Sequence, residues 1–91
     1  MIAINSISDF RAAVRNGPYA WPGGYPLYFV TSDGAALSFD AAKAERRNIL
    51  ASIRDRSSDG WRVVGCVINW EDSELVCDHT GKRIECAYAN E

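Results

Sequence analysis

The first apolar pattern in the chain predicts a helix over residues 7–16. Apolar side chains, Phe10 and Val14 among them, recur three or four positions apart and would share one helix face. Ser6 is placed to cap the first turn, and Gly17 occupies the position where glycine usually ends a helix. An amphipathic helix therefore opens the fold.

Residues 17–26 carry three prolines and three glycines, so neither a helix nor a central strand can pass through them. The same segment is rich in aromatic side chains. We expect a loop in which Trp21 or Tyr25 packs back onto the sheet, and the alternative is an exposed recognition surface.

A hairpin is predicted next. Aromatic and β-branched residues at 27–31 favour a strand, turn residues occupy 32–35, and a short return strand follows at 36–39. Asp40 can then cap a second helix that runs to about residue 56. The apolar face of this helix consists of Ile49, Leu50 and Ile53.

An almost unbroken apolar run at residues 61–70 predicts a strand at the centre of the sheet. A second hairpin follows, with strands at 74–78 and 83–88. If Asp78 pairs with Arg83, period-2 alternation places four apolar side chains on one face, namely Leu75, Cys77, Ile84 and Cys86. The cysteines of this hairpin are then expected to be small buried side chains.

Together these elements predict one α+β domain over residues 1–91. Its small antiparallel sheet combines two hairpins with a long central strand, and two helices pack on that sheet. The element order is helix, hairpin, helix, strand, hairpin.

Composition supports a globular protein. Of the 91 residues, 47% are hydrophobic and 24% are charged, which is unlike a disordered chain. No apolar run approaches the roughly 20 residues of a membrane span, and the N-terminus lacks the features of a signal peptide. Three cysteines, an odd number, favour reduced thiols over a disulfide framework. We expect a cytoplasmic protein.

Charge is distributed unevenly, although the net charge is only -2. Residues 41–62 contain six basic and three acidic side chains, whereas residues 71–91 contain two basic and six acidic ones. Such a division can orient a partner or steer its approach.

Three segments resemble small uncharacterised proteins of bacteriophages and mobile elements that carry zinc-ribbon-like hairpins. The segments are residues 24–31, residues 60–64 and residues 77–85, the last reading Cys-Asp-His-Thr-Gly-Lys-Arg-Ile-Glu. A zinc ribbon brings paired ligands from two glycine-centred hairpins onto one metal ion. The resemblance therefore implies a zinc-ribbon scaffold.

The ligand positions implied by this resemblance are Ser38, Ala41, Cys77 and Thr80. Only one of the four is a thiol, so the chain looks like a degenerate ribbon, and we expect no bound metal. Cys77 with His79 is the alternative partial ligand set.

The residue pattern does not favour an enzyme. Cys77, Asp78 and His79 are consecutive, so their alternating directions do not build a nucleophile, base and orienting group. No phosphate-binding glycine loop or dinucleotide fingerprint is present in the sequence. We therefore expect neither catalysis nor a cofactor.

Our first hypothesis for function is docking on a host protein or nucleoprotein complex in a bacterial cell. Acidic side chains can occupy a basic groove that otherwise holds nucleic acid, as anti-CRISPR proteins do, and aromatic side chains can anchor the contact. The docking residues would be Trp70, Glu71, Asp72, Glu74, Asp78 and Tyr88.

The alternative hypothesis is nucleic-acid binding through the second helix, where basic residues would form a stripe along one face. These residues are Lys43, Arg46, Arg47 and Arg54. A homodimer in which the acidic hairpin of one copy meets the basic helix of another is also open.

Overall fold

An antiparallel sheet organises the part of the chain that the computed structural model describes, residues 2–57 and 59–87. Its strands are β1 (Ile2–Ala3), β2 (Tyr19–Ala20), β3 (Tyr25–Thr31), β4 (Ala36–Leu37) and β5 (Val63–Ile68). The strand order is β1-β5-β3-β2, and β4 pairs with the far end of β3. The helices are α1 (Ile7–Asn16), α2 (Phe39–Ala44) and α3 (Arg46–Asp55). The expected α+β fold class is confirmed.

Helix α1 has the predicted bounds and the predicted cap. The Asp9 N–H donates to Oγ of Ser6 at 3.1 Å. The Asp9 carboxylate in turn accepts the Asn5 N–H at 3.0 Å, so the first turn is closed from both sides. At the other end Gly17 adopts φ 91° and donates its N–H to the carbonyl of Val14.

The single second helix predicted for residues 40–56 is wrong, because the chain forms two helices joined at Glu45. Glu45 leaves the helical region with φ -107° and ψ 23°. Its carboxylate accepts a local hydrogen bond from Asn48, three residues on, and lies 3.5 Å from Nε2 of His79, a contact that depends on the tertiary fold. The predicted cap is also displaced, since Ser38 and not Asp40 accepts the first-turn N–H.

Strand β5 is central, as predicted, although shorter than the apolar run. It pairs with β1 on one side and with β3 on the other. Val63 and Cys66 are buried within it. Trp61 stays outside the strand because its N–H donates to Oδ1 of Asp59, which forms a turn before β5. The two-residue strands β1 and β2 lie in segments where no strand was expected.

The second hairpin differs from the prediction in its register. Val76 pairs with Arg83 in an isolated bridge, so the pairing of Asp78 with Arg83 is wrong by two residues. The turn closes at Cys77, whose N–H donates to the Lys82 carbonyl at 2.8 Å. Asp78 instead donates its N–H to Ala36 of β4 at 2.9 Å. This hydrogen bond joins the turn to the sheet. The prediction considered only the two strands of the hairpin and could not include this contact.

Three phenylalanines form the centre of the core. The Phe29 ring on β3 lies 5.2 Å from Phe10 of α1 and 4.4 Å from Phe39 of α2, measured between ring centroids. Cys77 and Ile84 of the C-terminal turn are buried in the same core. No helix in the described residues is long and apolar enough to cross a membrane.

Replacing Phe29 by alanine is expected to destabilise the fold by about 3–5 kcal/mol, because it removes a fully buried ring and leaves a cavity between two helices and the sheet. The free energy of unfolding in urea measures this loss. Val64→Ala, on the exposed side of β5, should change the same quantity by only about 0.5 kcal/mol. Equal losses in the two variants would contradict the proposed central role of Phe29.

Candidate functional site

The loop after β5 presents Trp70 at the surface. Its side chain is 46% exposed, and its ring lies 4.8 Å from the ring of Tyr25, which starts β3. Buried Asn69 sets the direction of this loop: its Nδ2 donates to the carbonyls of Asp72 at 3.0 Å and Glu85 at 3.1 Å. The indole is therefore held by a neighbouring ring and by an anchored backbone.

Three residues with carboxylate side chains follow Trp70 in the sequence. Glu71, Asp72 and Glu74 are all exposed. Oδ1 of Asp72 accepts the Glu74 N–H at 3.1 Å, and the Asp72 N–H donates to Oδ1 of Asn69 at 3.2 Å. The turn that carries the three acids is thus ordered by its own hydrogen bonds.

Trp21 extends the aromatic part of this surface. Its side chain is 75% exposed, and its ring packs so closely on Gly24 that an added Cβ there would lie 3.2 Å from Cη2. Of the two residues considered for packing in this loop, Tyr25 is half-buried and packs against Trp70, whereas Trp21 is exposed. We call the whole set the aromatic–acidic surface, and it consists of Trp21, Tyr25, Trp70, Glu71, Asp72 and Glu74.

Asp78 was also predicted for this surface, and the structure places it elsewhere. The Asp78 N–H donates to the carbonyl of Ala36 on β4, and Ala36 pairs with Val30 of β3. The Asn69 N–H donates to the carbonyl of Pro26, at the other end of β3. Four residues of extended strand separate these anchor points by about 13 Å. Tyr88 lies outside the described residues.

The basic residues of the second predicted helix do not form one stripe. Lys43 lies on α2 and Arg47 on α3, so the break at Glu45 removes the four-residue spacing that would align them. Arg54 forms an exposed ion pair with Asp55 at 3.0 Å. Lys43 and Arg46 instead line a cleft together with residues of α1, a proximity that no local pattern indicates.

The Cys77 turn brings together the four positions implied by the zinc-ribbon resemblance. Sγ of Cys77 accepts the Ser38 N–H at 3.4 Å, and Thr80 also donates to this sulfur. The Ala41 N–H donates to Oγ of Ser38 at 3.2 Å. Two turns therefore converge on one sulfur, as they would on a metal ion.

The residues present do not fit a zinc ion. One thiol, two hydroxyls and a methyl group do not supply the four soft or imidazole ligands of a structural site. Within residues 2–57 and 59–87, no three His, Cys, Asp or Glu side chains lie close enough together to hold a metal. His79 packs edge-on against Trp61 at 5.2 Å and lies beside Glu45. Hydrogen bonds to the Cys77 sulfur link the two turns.

The environments of the buried thiols set their acidity. Burial raises the pKa of Cys77, but hydrogen bonds from Ser38 and Thr80 outweigh this effect and lower it to about 7. Burial in β5 raises the pKa of Cys66 to about 11. Of these two thiols, it is Cys77 whose surroundings favour a thiolate near neutral pH.

The aromatic–acidic surface offers indole faces and carboxylates to solvent, both of which attract lysine and arginine side chains. This arrangement is suited to binding a basic surface. Comparison of the chain with protein-family models, with curated proteins and with solved structures gives no match.

The stability of the fold should depend on pH through Cys77. Folding favours the thiolate, so this stabilisation is fully present above the ordinary thiol pKa of 9.0 and is lost as pH falls through about 7. The difference in unfolding free energy between wild type and Cys77→Ala should therefore grow from pH 6 to pH 9, by on the order of 1 kcal/mol. Urea titrations at each pH measure it, with Cys86→Ala as the control for loss of a thiol. A difference that shrinks with rising pH would contradict thiolate stabilisation.

Restoring the missing ligands should create a zinc site. The variant S38C/A41C/T80C, which keeps Cys77, is expected to bind one zinc ion per chain and to melt about 10 °C higher with zinc than without it. Elemental analysis and thermal melts provide the measurements. Adding C77A to this variant is the matched control and should weaken zinc binding. Absence of zinc in the four-cysteine protein would show that the two turns are not close enough to share an ion.

Proposed function

We propose that this protein is a non-enzymatic binding protein that docks on a basic surface of a host protein or nucleoprotein complex. The observation that carries the proposal is the half-exposed indole of Trp70, held against Tyr25 and followed by exposed carboxylates. Large exposed aromatic side chains next to ordered polar groups are typical of protein interaction sites.

The chemistry of the surface defines the class of partner. An arginine or lysine of the partner can lie over an indole ring and also hydrogen-bond to a carboxylate of the same loop. The acidic excess of residues 71–91 would attract a basic partner and speed its approach. This attraction would weaken at high salt, because salt screens the charges. Aromatic contacts would supply the part of the affinity that salt does not screen.

The setting of this function follows from the sequence resemblance to bacteriophage and mobile-element proteins. The proposed partner belongs to a bacterial defence system, and the carboxylates would occupy a groove that normally holds nucleic acid. The protein would then act as an inhibitor in the bacterial cytoplasm, in the manner of anti-CRISPR proteins.

Affinity capture from a bacterial host lysate tests the proposal. Wild-type protein should retain a partner that elutes with increasing salt, whereas E71K/E74K should lose most of it through charge repulsion. These two positions are chosen because Asp72 orders the turn and is left intact. Trp70→Ala should also reduce retention, by removing the aromatic anchor.

The matched control is D40K/D55K, which changes the net charge equally at exposed positions outside the surface. It should retain the partner, and circular dichroism should show all variants folded. Loss of retention in D40K/D55K, or normal retention in both E71K/E74K and Trp70→Ala, would refute docking through the aromatic–acidic surface. Retention that instead requires Arg47 and Arg54 would favour nucleic-acid binding.

A further inference from the structure

A cleft between α1 and the junction of α2 with α3 combines three cations with an apolar floor. It measures about 330 Å³, within the lower part of the range of small-molecule sites. We call it the cationic cleft, and its lining residues are Phe10, Arg11, Val14, Lys43, Arg46 and Leu50.

Each wall of the cleft is formed by residues one turn apart on a helix. Phe10 and Val14 are one turn apart on α1, and Arg46 and Leu50 are one turn apart on α3. Phe10 is 2% exposed and packs on Phe29, so the floor belongs to the core and has a fixed position. The cations lie at the exposed margin of this floor, where their stems can cover apolar atoms while their charged groups face a ligand.

Three acids lie near the cleft in sequence, and two of them are engaged elsewhere. Glu45 accepts a hydrogen bond from Asn48 and lies against His79, and Asp9 accepts the Asn5 N–H at the start of α1. Asp40 is one turn from Lys43 on α2 and lines a neighbouring pocket with it, but it is absent from the lining of the cleft. Among residues 2–57 and 59–87, the salt-bridge contacts are those of Arg54 with Asp55 and of His79 with Glu45. Within these residues, none of the three cations of the cleft forms a salt bridge with a carboxylate.

The junction of α2 with α3 fixes the position of Arg46, which is the first residue of α3. The negative end of α2 and the positive end of α3 meet at Glu45, so the two helix dipoles offset each other there. The positive field of the cleft therefore comes from its side chains. An anion bound at the margin would be neutralised from α1, α2 and α3 together.

We infer that the cationic cleft binds a small organic anion with an apolar body, such as a carboxylate, sulfonate or phosphate attached to an aromatic ring or a short alkyl chain. The anionic group pairs with Arg11, Lys43 and Arg46, and the apolar body covers Val14 and Leu50. Inorganic phosphate would pair with the cations but leave the apolar floor uncovered, and a neutral ring would cover the floor but leave the cations unpaired. Binding requires both parts in one molecule.

Fluorescence titration with 8-anilinonaphthalene-1-sulfonate tests this site, because the probe joins fused rings to a sulfonate. Wild-type protein should bind one probe per chain, and R11Q/R46Q should weaken binding about fivefold or more through loss of two charge-assisted contacts. The matched control is R15Q/R47Q, which removes the same charges from α1 and α3 outside the cleft. It should bind as the wild type does.

Two further measurements separate the cleft from nonspecific binding. N-phenyl-1-naphthylamine, which has the same rings without the sulfonate, should bind at least about tenfold more weakly than the sulfonate. Decanoate should displace the sulfonate, whereas inorganic phosphate at equal concentration should not. In heteronuclear NMR spectra the methyl groups of Val14 and Leu50 should shift on binding.

Several outcomes would overturn the inference. Equal loss in R15Q/R47Q would show general attraction to positive charge, and equal binding of the neutral probe would show an apolar patch alone. Displacement by phosphate or by a short DNA would assign the cations to phosphate binding. Weaker probe binding as protein concentration rises would indicate that a second copy occupies the cleft. None of these results bears on capture through Glu71 and Glu74, so the proposed function is tested separately.

Discussion

The contact of Phe29 with Phe10 and Phe39 determines where the helices lie on the sheet. One ring on the central part of β3 touches both α1 and α2, so the positions of these helices are coupled through it. The consequences extend to both sides of the molecule. Phe10 supplies the floor of the cationic cleft, and Phe39 begins the helix whose cap residue, Ser38, donates its backbone N–H to the Cys77 sulfur.

The two charged surfaces are built by different means. The cationic cleft depends on helices held by apolar packing, so its cations are brought together from three separate elements. The aromatic–acidic surface combines the loop after β5, whose backbone is ordered by Asn69 and Asp72, with Tyr25 at the start of β3 and Trp21 in the segment before it. Apolar packing between helices therefore positions the residues of the cleft, whereas backbone hydrogen bonds position the acids of the surface.

Local patterns in the sequence were sufficient for α1, for residues 27–31 of β3 and for the central position of β5, although β3 begins at Tyr25, within the predicted loop. In α1 the cap, the apolar face and the terminal glycine all agree, and in β5 the uncharged segment Val63–Ile68 coincides with the strand. Such agreement between local preference and tertiary structure makes an element predictable. The group of Trp70 with the neighbouring acids was also accessible, because these residues are adjacent in the sequence and follow a buried strand.

Tertiary contacts determined the features that the sequence did not reveal. The break at Glu45 depends on His79, a residue 34 positions away, and residues 40–56 contain no glycine or proline to mark it. The two-residue shift in the C-terminal turn depends on the bond from Asp78 to Ala36. The cationic cleft joins Arg11 to Lys43 and Arg46, and no sequence period links α1 to α3. In these three places the local conformation involves a contact with a distant part of the chain, whereas the displaced cap at Ser38 is a local feature.

Asn69 connects the loop of Trp70 to a second segment of the chain. The side-chain amide of Asn69 donates to the carbonyls of Asp72 in the loop and of Glu85. The backbone carbonyl of Asn69 accepts the Ala87 N–H at 2.8 Å. Immobilising the loop would therefore lower the rate at which the Ala87 amide exchanges its proton with water, although that amide belongs to a different segment. A ligand that held this loop in place would in this way also steady the backbone at Ala87 through Asn69, without any rearrangement of the sheet.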